Sequence, residues 1–223
     1  MLPVAQYSRG DRLWNRRALD IVATRVTVDL RHRQKPAPLP FVRGWLRDPV
    51  GVGLPFPSSP ATARRLAEAA LASSVCNGPV LELGAGTGAV TAALMDAGCP
   101  IDRIVAVEHD AELCRSLEER FPGLAVLEGD ALELGALLEA AKLSSIAVMI
   151  SGLPMRAIPA EAATRCYGDA FDAMPPGGAI IQYTYGLRPP VDPRLMATKV
   201  EATFVGREWR NLPPMGIWRY SRA

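Results

Sequence analysis

Histidine and cysteine are scarce in this sequence. Its 223 residues include two histidines, His32 and His109, and four cysteines, Cys76, Cys99, Cys114 and Cys166. The cysteines are far apart and form no CxxC pair, so a zinc site has almost no raw material and no metal is expected. They read as reduced, mostly structural thiols of a cytosolic protein. Long apolar runs are also missing: no window approaches the ~18 consecutive apolar residues of a spanning helix. The opening MLPVAQYSRGDRLW has neither an apolar h-region nor a small-residue cleavage site, so a secretory signal is not expected. What is there is 49% hydrophobic and 22% charged, enough to bury a core as one compact domain with a small appendage.

Charge is unevenly placed. Residues 1–45 hold nine Lys or Arg against three Asp, a net +6, so the remaining 178 residues carry −4. A basic arm on a mildly acidic body fits contact with an anionic surface, lipid or nucleic acid, or a plain solvated helix. On a helical wheel, residues 12–31 place Trp14, Ala18, Leu19, Ile21, Val22, Val26, Val28 and Leu30 on one arc, opposite Arg16, Asp20, Thr24, Thr27 and Arg31. An amphipathic helix with Arg and an interfacial Trp suits a headgroup layer. Arg25 and Asp29 interrupt the arc, and the β-branched run IVATRVTV reads partly as a strand. Packing of the arm on the following domain is the alternative. We place the arm at 1–40 and the main domain at 41–223.

The joint KPAPLPFV (35–42) is too Pro-rich to continue a helix, and a second loop covers 48–60. Ser59 suits an N-cap and Pro60 a first helical position, so a helix is expected from residue 61. From residue 79 short apolar strands alternate with helices. Strands are expected at 79–84, 103–108, 124–128, 145–151 and 178–186, implying a parallel sheet covered on both faces. The ending differs: 202–209 and 216–222 read as two strands joined by a Pro-Pro turn, hence antiparallel.

The first of these strands runs into Glu82-Leu83-Gly84-Ala85-Gly86-Thr87-Gly88. Glycines there allow positive φ and close backbone approach to a ligand. The GxGxG spacing departs from the GxGxxG of a dinucleotide site. Glu108 ends the second strand, where an acid can accept both hydroxyls of a ribose. Gly129-Asp130 ends the third, where an acid can accept from an adenine amino group. Acids and glycines at successive strand ends describe one nucleotide-like ligand.

This constellation resembles the class I S-adenosylmethionine-dependent methyltransferases over roughly residues 55–222. The resemblance implies a Rossmann-like three-layer α/β sandwich: a seven-stranded, mostly parallel sheet with an antiparallel C-terminal hairpin, here preceded by the amphipathic helix. LPFPSS (54–59), SGLP (151–154), QYTYGLRPP (182–190) and RNLPP (210–214), with VLELGAGTG, look like the bacterial phospholipid N-methyltransferases. Those enzymes convert phosphatidylethanolamine, through its mono- and dimethyl forms, to phosphatidylcholine, and carry a basic amphipathic N-terminal helix for membrane contact. The resemblance thus implies S-adenosylmethionine as cofactor without a metal, a phospholipid substrate, and a peripheral place on the inner face of the cytoplasmic membrane. It assigns the cofactor to Ser58, Ser59, Glu82, Gly84, Gly86, Thr87, Gly88, Glu108, His109, Gly129, Asp130, Ala131 and Ser151.

Methyl transfer to an amine is an in-line displacement, so positioning supplies much of the catalysis. The amine must first lose a proton, and its methylated product is cationic, which suits aromatic walls. Ser151 and Gly152 are the candidate amine acceptors. Tyr183 and Tyr185 share one face of their strand and can line the amine site, Tyr185 lying nearer the strand end. Arg188 and Arg210 are candidates for a lipid phosphate. Two other functions compete. An rRNA adenine N6-methyltransferase shares the glycine motif but usually carries Asn/Asp-Pro-Pro-Tyr or Asn-Leu-Pro-Tyr where this chain has Ser151-Gly152-Leu153-Pro154-Met155. A nonenzymatic membrane-binding protein with a vestigial nucleotide fold is the other, and the intact glycine triplet argues against it.

Overall fold

The computed structural model describes residues 26–27, 59–72, 78–211 and 214–223. Among these residues eight strands form one sheet. They are β1 (Val26–Thr27), β2 (Val80–Leu83), β3 (Ile104–Glu108), β4 (Ala125–Glu128), β5 (Val148–Ser151), β6 (Ala179–Thr184), β7 (Val200–Glu208) and β8 (Met215–Arg222). The order is β1-β4-β3-β2-β5-β6-β8-β7. All pairs are parallel except β6–β8 and β7–β8. The seven expected strands and the antiparallel ending are therefore present.

The eighth strand corrects one expectation. Val26 and Thr27 pair in parallel with Leu127 and Glu128, so at these two positions the strand reading of the β-branched run holds over the helical wheel drawn for 12–31. Both residues are β-branched, and such side chains lose rotamer freedom in a helix and fit a pleated edge. The arm thereby joins the main sheet before residue 40. The remainder of the expected helix, the Pro-rich joint, the 48–58 loop and Cys76 lie outside the described residues.

Among the described residues five α-helices cover the sheet: α1 (Pro60–Leu71), α2 (Ala89–Asp96), α3 (Ala111–Arg120), α4 (Leu134–Ala140) and α5 (Ala160–Asp172). Alternation along each strand assigns its side chains to one layer or the other. Val80, Ile104, Ala106, Val148 and Ile150 pack with Leu66 and Ala67 of α1, Leu94 of α2 and Leu117 of α3. Leu81, Leu83, Val107 and Met149 pack with Leu134 and Leu137 of α4 and with Tyr167 and Phe171 of α5. This is a three-layer sandwich. In α1, Ala63, Leu66, Ala67 and Ala70 recur on one face and are buried, and the Ser59 hydroxyl caps the helix by accepting from Thr62 N at 3.2 Å. Asp110 caps α3 through Glu112 N and Leu113 N.

Parallel β2 lies between β3 and β5, with helices leaving to opposite faces on its two sides. Ligands of open α/β sheets bind at such a reversal, outside the strands' C-terminal ends.

Candidate functional site

Gly84, Gly86 and Gly88 have φ of +70°, +56° and +80°, a region costly for other L-residues. Each glycine meets a different constraint. A Cβ on Gly88 would come within 2.4 Å of the Phe121 ring, and one on Gly84 within 2.9 Å of Leu153. A Cβ on Gly86 would meet nothing within 4 Å. Gly88 thus lets α2 seat on α3, whereas Gly86 borders open space.

Glu108 holds the loop in shape. Its Oε2 accepts from Gly86 N at 2.8 Å, and its Oε1 accepts from His109 N and Asp110 N at 2.8 and 3.0 Å. An ionised carboxylate has about four acceptor sites, so one remains, on Oε2, for the ribose expected there. Glu82 lies beneath the loop, 2% exposed, with the Thr91 hydroxyl of α2 donating to its Oε2 at 2.5 Å. Burial, helped by the nearby Glu108 charge, pushes its carboxyl up to about 8. Through Thr91, Glu82 ties β2 to α2 beneath the glycine loop.

At the end of β4, Gly129 N donates to Glu108 O at 2.9 Å. Asp130 caps the short turn that follows, its Oδ1 accepting from Leu132 N at 2.9 Å. Ala131 is buried, and its carbonyl accepts from Cys166 Sγ at 3.3 Å. Cys99, Cys114 and Cys166 are buried and form no disulfide. Thr87 and His109 are exposed at the rim. Ser59 is the α1 cap just described, and Ser58 lies outside the described residues.

The second half of the site surrounds Ser151-Gly152-Leu153-Pro154. Ser151 is fully buried and its hydroxyl accepts from Leu153 N at 3.3 Å. Gly152 N donates to Leu83 O at 2.8 Å. A Cβ on Gly152 would stand 2.9 Å from Gly84 O and 3.2 Å from Leu83 O, so the two turns meet backbone to backbone. The Tyr183 hydroxyl donates to Gly152 O at 3.1 Å. Tyr185, half-buried just past β6, has a raised phenol pKa because of burial, partly offset by a side-chain hydrogen bond with Asn211. Tyr183 packs on the α1 face of the sheet beside Gly152, and Tyr185 follows past the strand end, tied through Asn211 to Thr62 of α1. Arg188 and Arg210 are exposed beyond the same sheet end.

Two residues that hold this half had no role in the sequence reading. Gln182 is fully buried; its Oε1 accepts from Tyr167 OH at 2.9 Å, and its Nε2 donates to Leu153 O at 3.1 Å and Tyr183 O at 2.8 Å. Asn211 is 6% exposed and accepts from Thr62 Oγ1 at 3.4 Å. Gln182 falls in QYTYGLRPP, on β6, and Asn211 in RNLPP, between β7 and β8; a lone polar residue among the apolar neighbours of β6 hints at Gln182 but not at its partners. Among the described residues, no group of three or more His, Cys, Asp or Glu is placed to hold a metal ion.

No protein-family model matches the chain. The fold is that of TrmN from Thermus thermophilus (TM-score 0.55, 18% identity, 86% of this chain and 55% of that one). It is also that of the magnesium protoporphyrin IX methyltransferase of Synechocystis PCC 6803, solved with S-adenosylmethionine bound (TM-score 0.54, 13% identity, 85% and 87%). Over 143 residues the chain is 35% identical to a curated methyltransferase, spanning 62% of this chain and 73% of that protein. With the strand-end site just described, these relations define the class: the chain belongs to the class I S-adenosylmethionine-dependent methyltransferases. The 35% relative is the ornithine lipid N-methyltransferase of Singulisphaera acidiphila. A shorter match, 47% identical over 58 residues, is to ribosomal RNA small subunit methyltransferase A of a Synechococcus, covering 20% of that protein.

The cofactor is S-adenosylmethionine. The open space at Gly86, the remaining acceptor site of Glu108 and the positive-φ loop suit its ribose and amino acid parts.

Proposed function

We propose that this enzyme N-methylates the primary amine of a lipid headgroup, with phosphatidylethanolamine as its substrate and phosphatidylcholine as the end of the series. The observation that carries this reading is the relation to a lipid N-methyltransferase along most of that protein's length. The phospholipid headgroup is supported by the SGLP, QYTYGLRPP and RNLPP stretches and by the two arginines that can meet a phosphate. An ornithine headgroup presents the same alkyl amine without a phosphate and is the second reading, favoured by the ornithine lipid activity of that relative. The rRNA reading has only a short match, and a serine and a glycine stand at the end of β5 where a flipped adenine would want an amide or acid acceptor.

When bound, the cofactor supplies an electrophilic methyl on a sulfonium. The chain's residues hold the amine against it. Gly152 O and the Tyr183 and Tyr185 phenols surround the amine, and their oxygens accept from its N–H groups. With the cofactor bound, these residues would hold the amine with its lone pair toward the sulfonium methyl once the ammonium has passed one proton to solvent water. Burial raises the Tyr185 phenol above its ordinary value, which suits its hydroxyl to orienting the amine rather than to taking the proton. Each added methyl deletes a donor, and the tyrosine rings then stabilise the cation at about 0.5–2 kcal/mol each. The N-terminal arm delivers the enzyme to the inner face of the membrane.

The test is incubation with methyl-labelled S-adenosylmethionine in parallel with phosphatidylethanolamine vesicles, ornithine lipid vesicles and rRNA. Label in the phosphatidylethanolamine fraction is expected. Label in ornithine lipid alone moves the substrate to the second reading, and label in RNA alone rejects the lipid reading.

A further inference from the structure

We propose that the folded domain itself carries a membrane-docking rim at the mouth of the amine site, built from Leu187 and Trp209 and flanked by Arg156, Arg188, Arg207 and Arg210. This rests on the lipid reading above and is separate from the N-terminal arm. Register places the parts. Thr184, the last residue of β6, pairs with Gly216 of β8, which pairs in turn with Arg207 of β7. Leu187 therefore leaves the sheet three residues past that row and Trp209 two residues past it, on strands separated only by β8. This is also the end where Ser151 closes β5 beside Gln182 of β6.

Leu187 is 76% exposed and Trp209 73%, the two most exposed large apolar side chains among the described residues. A Leu and a Trp left in water at a ligand entrance gain nothing for the fold and suit an interface with an apolar body and a wet edge. Arg207 lies 5.7 Å over the Trp209 ring, and Arg156 Nη1 lies 3.0 Å from where a Cβ of Gly186 would stand. Arg188 and Arg210 are exposed. The acid beside Trp209 is engaged: Glu208 is 8% exposed, bridges to Arg65 at 3.4 Å and accepts from Arg210 N. The rim thus combines exposed apolar tips with flanking positive charge, which fits an anionic bilayer surface rather than a protein or RNA partner. Seated there, the domain would face its site toward the headgroup layer.

The experiment uses the full chain with Leu187→Ser and Trp209→Ser combined. Binding is read by sedimentation with vesicles of phosphatidylglycerol and phosphatidylcholine, which contain no substrate amine. Methylation is read on phosphatidylethanolamine in vesicles and dispersed in detergent. The double variant is expected to bind vesicles about tenfold more weakly, equivalent to about 1.4 kcal/mol, and to lose vesicle activity, while keeping wild-type cofactor affinity and detergent activity. Wild-type Trp emission is expected to shift to the blue on vesicles, and Trp209→Phe to remove part of that shift. Unchanged vesicle binding in the double variant overturns the rim, whatever the substrate. A wild-type protein that binds the vesicles through the rim but methylates no lipid overturns the substrate reading alone.

Discussion

Gly86 and Gly152 are both small for steric reasons, but the reasons differ and so do the expected consequences. Gly86→Val places a β-branched chain at φ +56° in space with no protein neighbour within 4 Å. We expect a folded protein, destabilised by about 1–2 kcal/mol, that no longer binds S-adenosylmethionine by calorimetry. Gly152→Ala instead drives a methyl into Gly84 O and Leu83 O. It should cost about 1–3 kcal/mol of stability and misplace both turns, lowering the melting temperature and cofactor affinity together. Glu108→Ala removes the acceptor of three backbone N–H groups together with the proposed ribose contact. Cofactor binding should weaken by at least ~1.5–3 kcal/mol, the range for hydrogen bonds to a charged group; an unchanged dissociation constant would place the ribose elsewhere. For the amine, Tyr185→Phe should retain much of the activity if the ring holds the cation, and Tyr185→Ala little. Equal losses in both would assign the work to the hydroxyl.

At the scale of elements, the β2–α2 connection carries a pH signature through Glu82. Its carboxyl titrates near 8 in the fold against an ordinary 4.5. Between those values the unfolded chain has released a proton that the folded chain keeps. Stability is therefore complete below about 4.5 and falls as pH rises toward 8, by up to about 1.4 kcal/mol per unit. Glu82→Gln should gain on the wild type across that window in denaturant unfolding; a constant difference would mean that Glu82 ionises normally. The elements themselves were legible because each announces itself locally: α1 by its cap and its apolar spacing, β2 to β6 by short apolar runs between caps and glycines. The strand ends of the site followed from that alternation. Gln182 and Asn211 were not legible, since their partners, Leu153 and Thr62, are distant in sequence and meet them only through the sheet order. The β1 strand was half-legible: its β-branched residues competed with a helical wheel that two charges already spoiled, and the open edge of β4 decided.

For the whole molecule, truncation separates the proposed delivery role of the arm from its edge strand, Val26–Thr27. Removing residues 1–24 spares Val26–Thr27 and should lower activity and binding on anionic vesicles, by about 1 kcal/mol per lost surface cation, with cofactor binding intact. Removing residues 1–34 also uncovers the β4 edge and should additionally lower the melting temperature. Full vesicle activity in the shorter truncation would mean that the arm only packs or is solvated. The central claim is that the methyl acceptor is a lipid headgroup nitrogen. Its most direct test is mass spectrometry of lipids extracted from phosphatidylethanolamine vesicles after incubation with the protein and methyl-deuterated S-adenosylmethionine. Deuterated methyls on the headgroup nitrogen, rising through mono-, di- and trimethyl species, are predicted; a headgroup left unlabelled while the protein binds the cofactor would contradict the account.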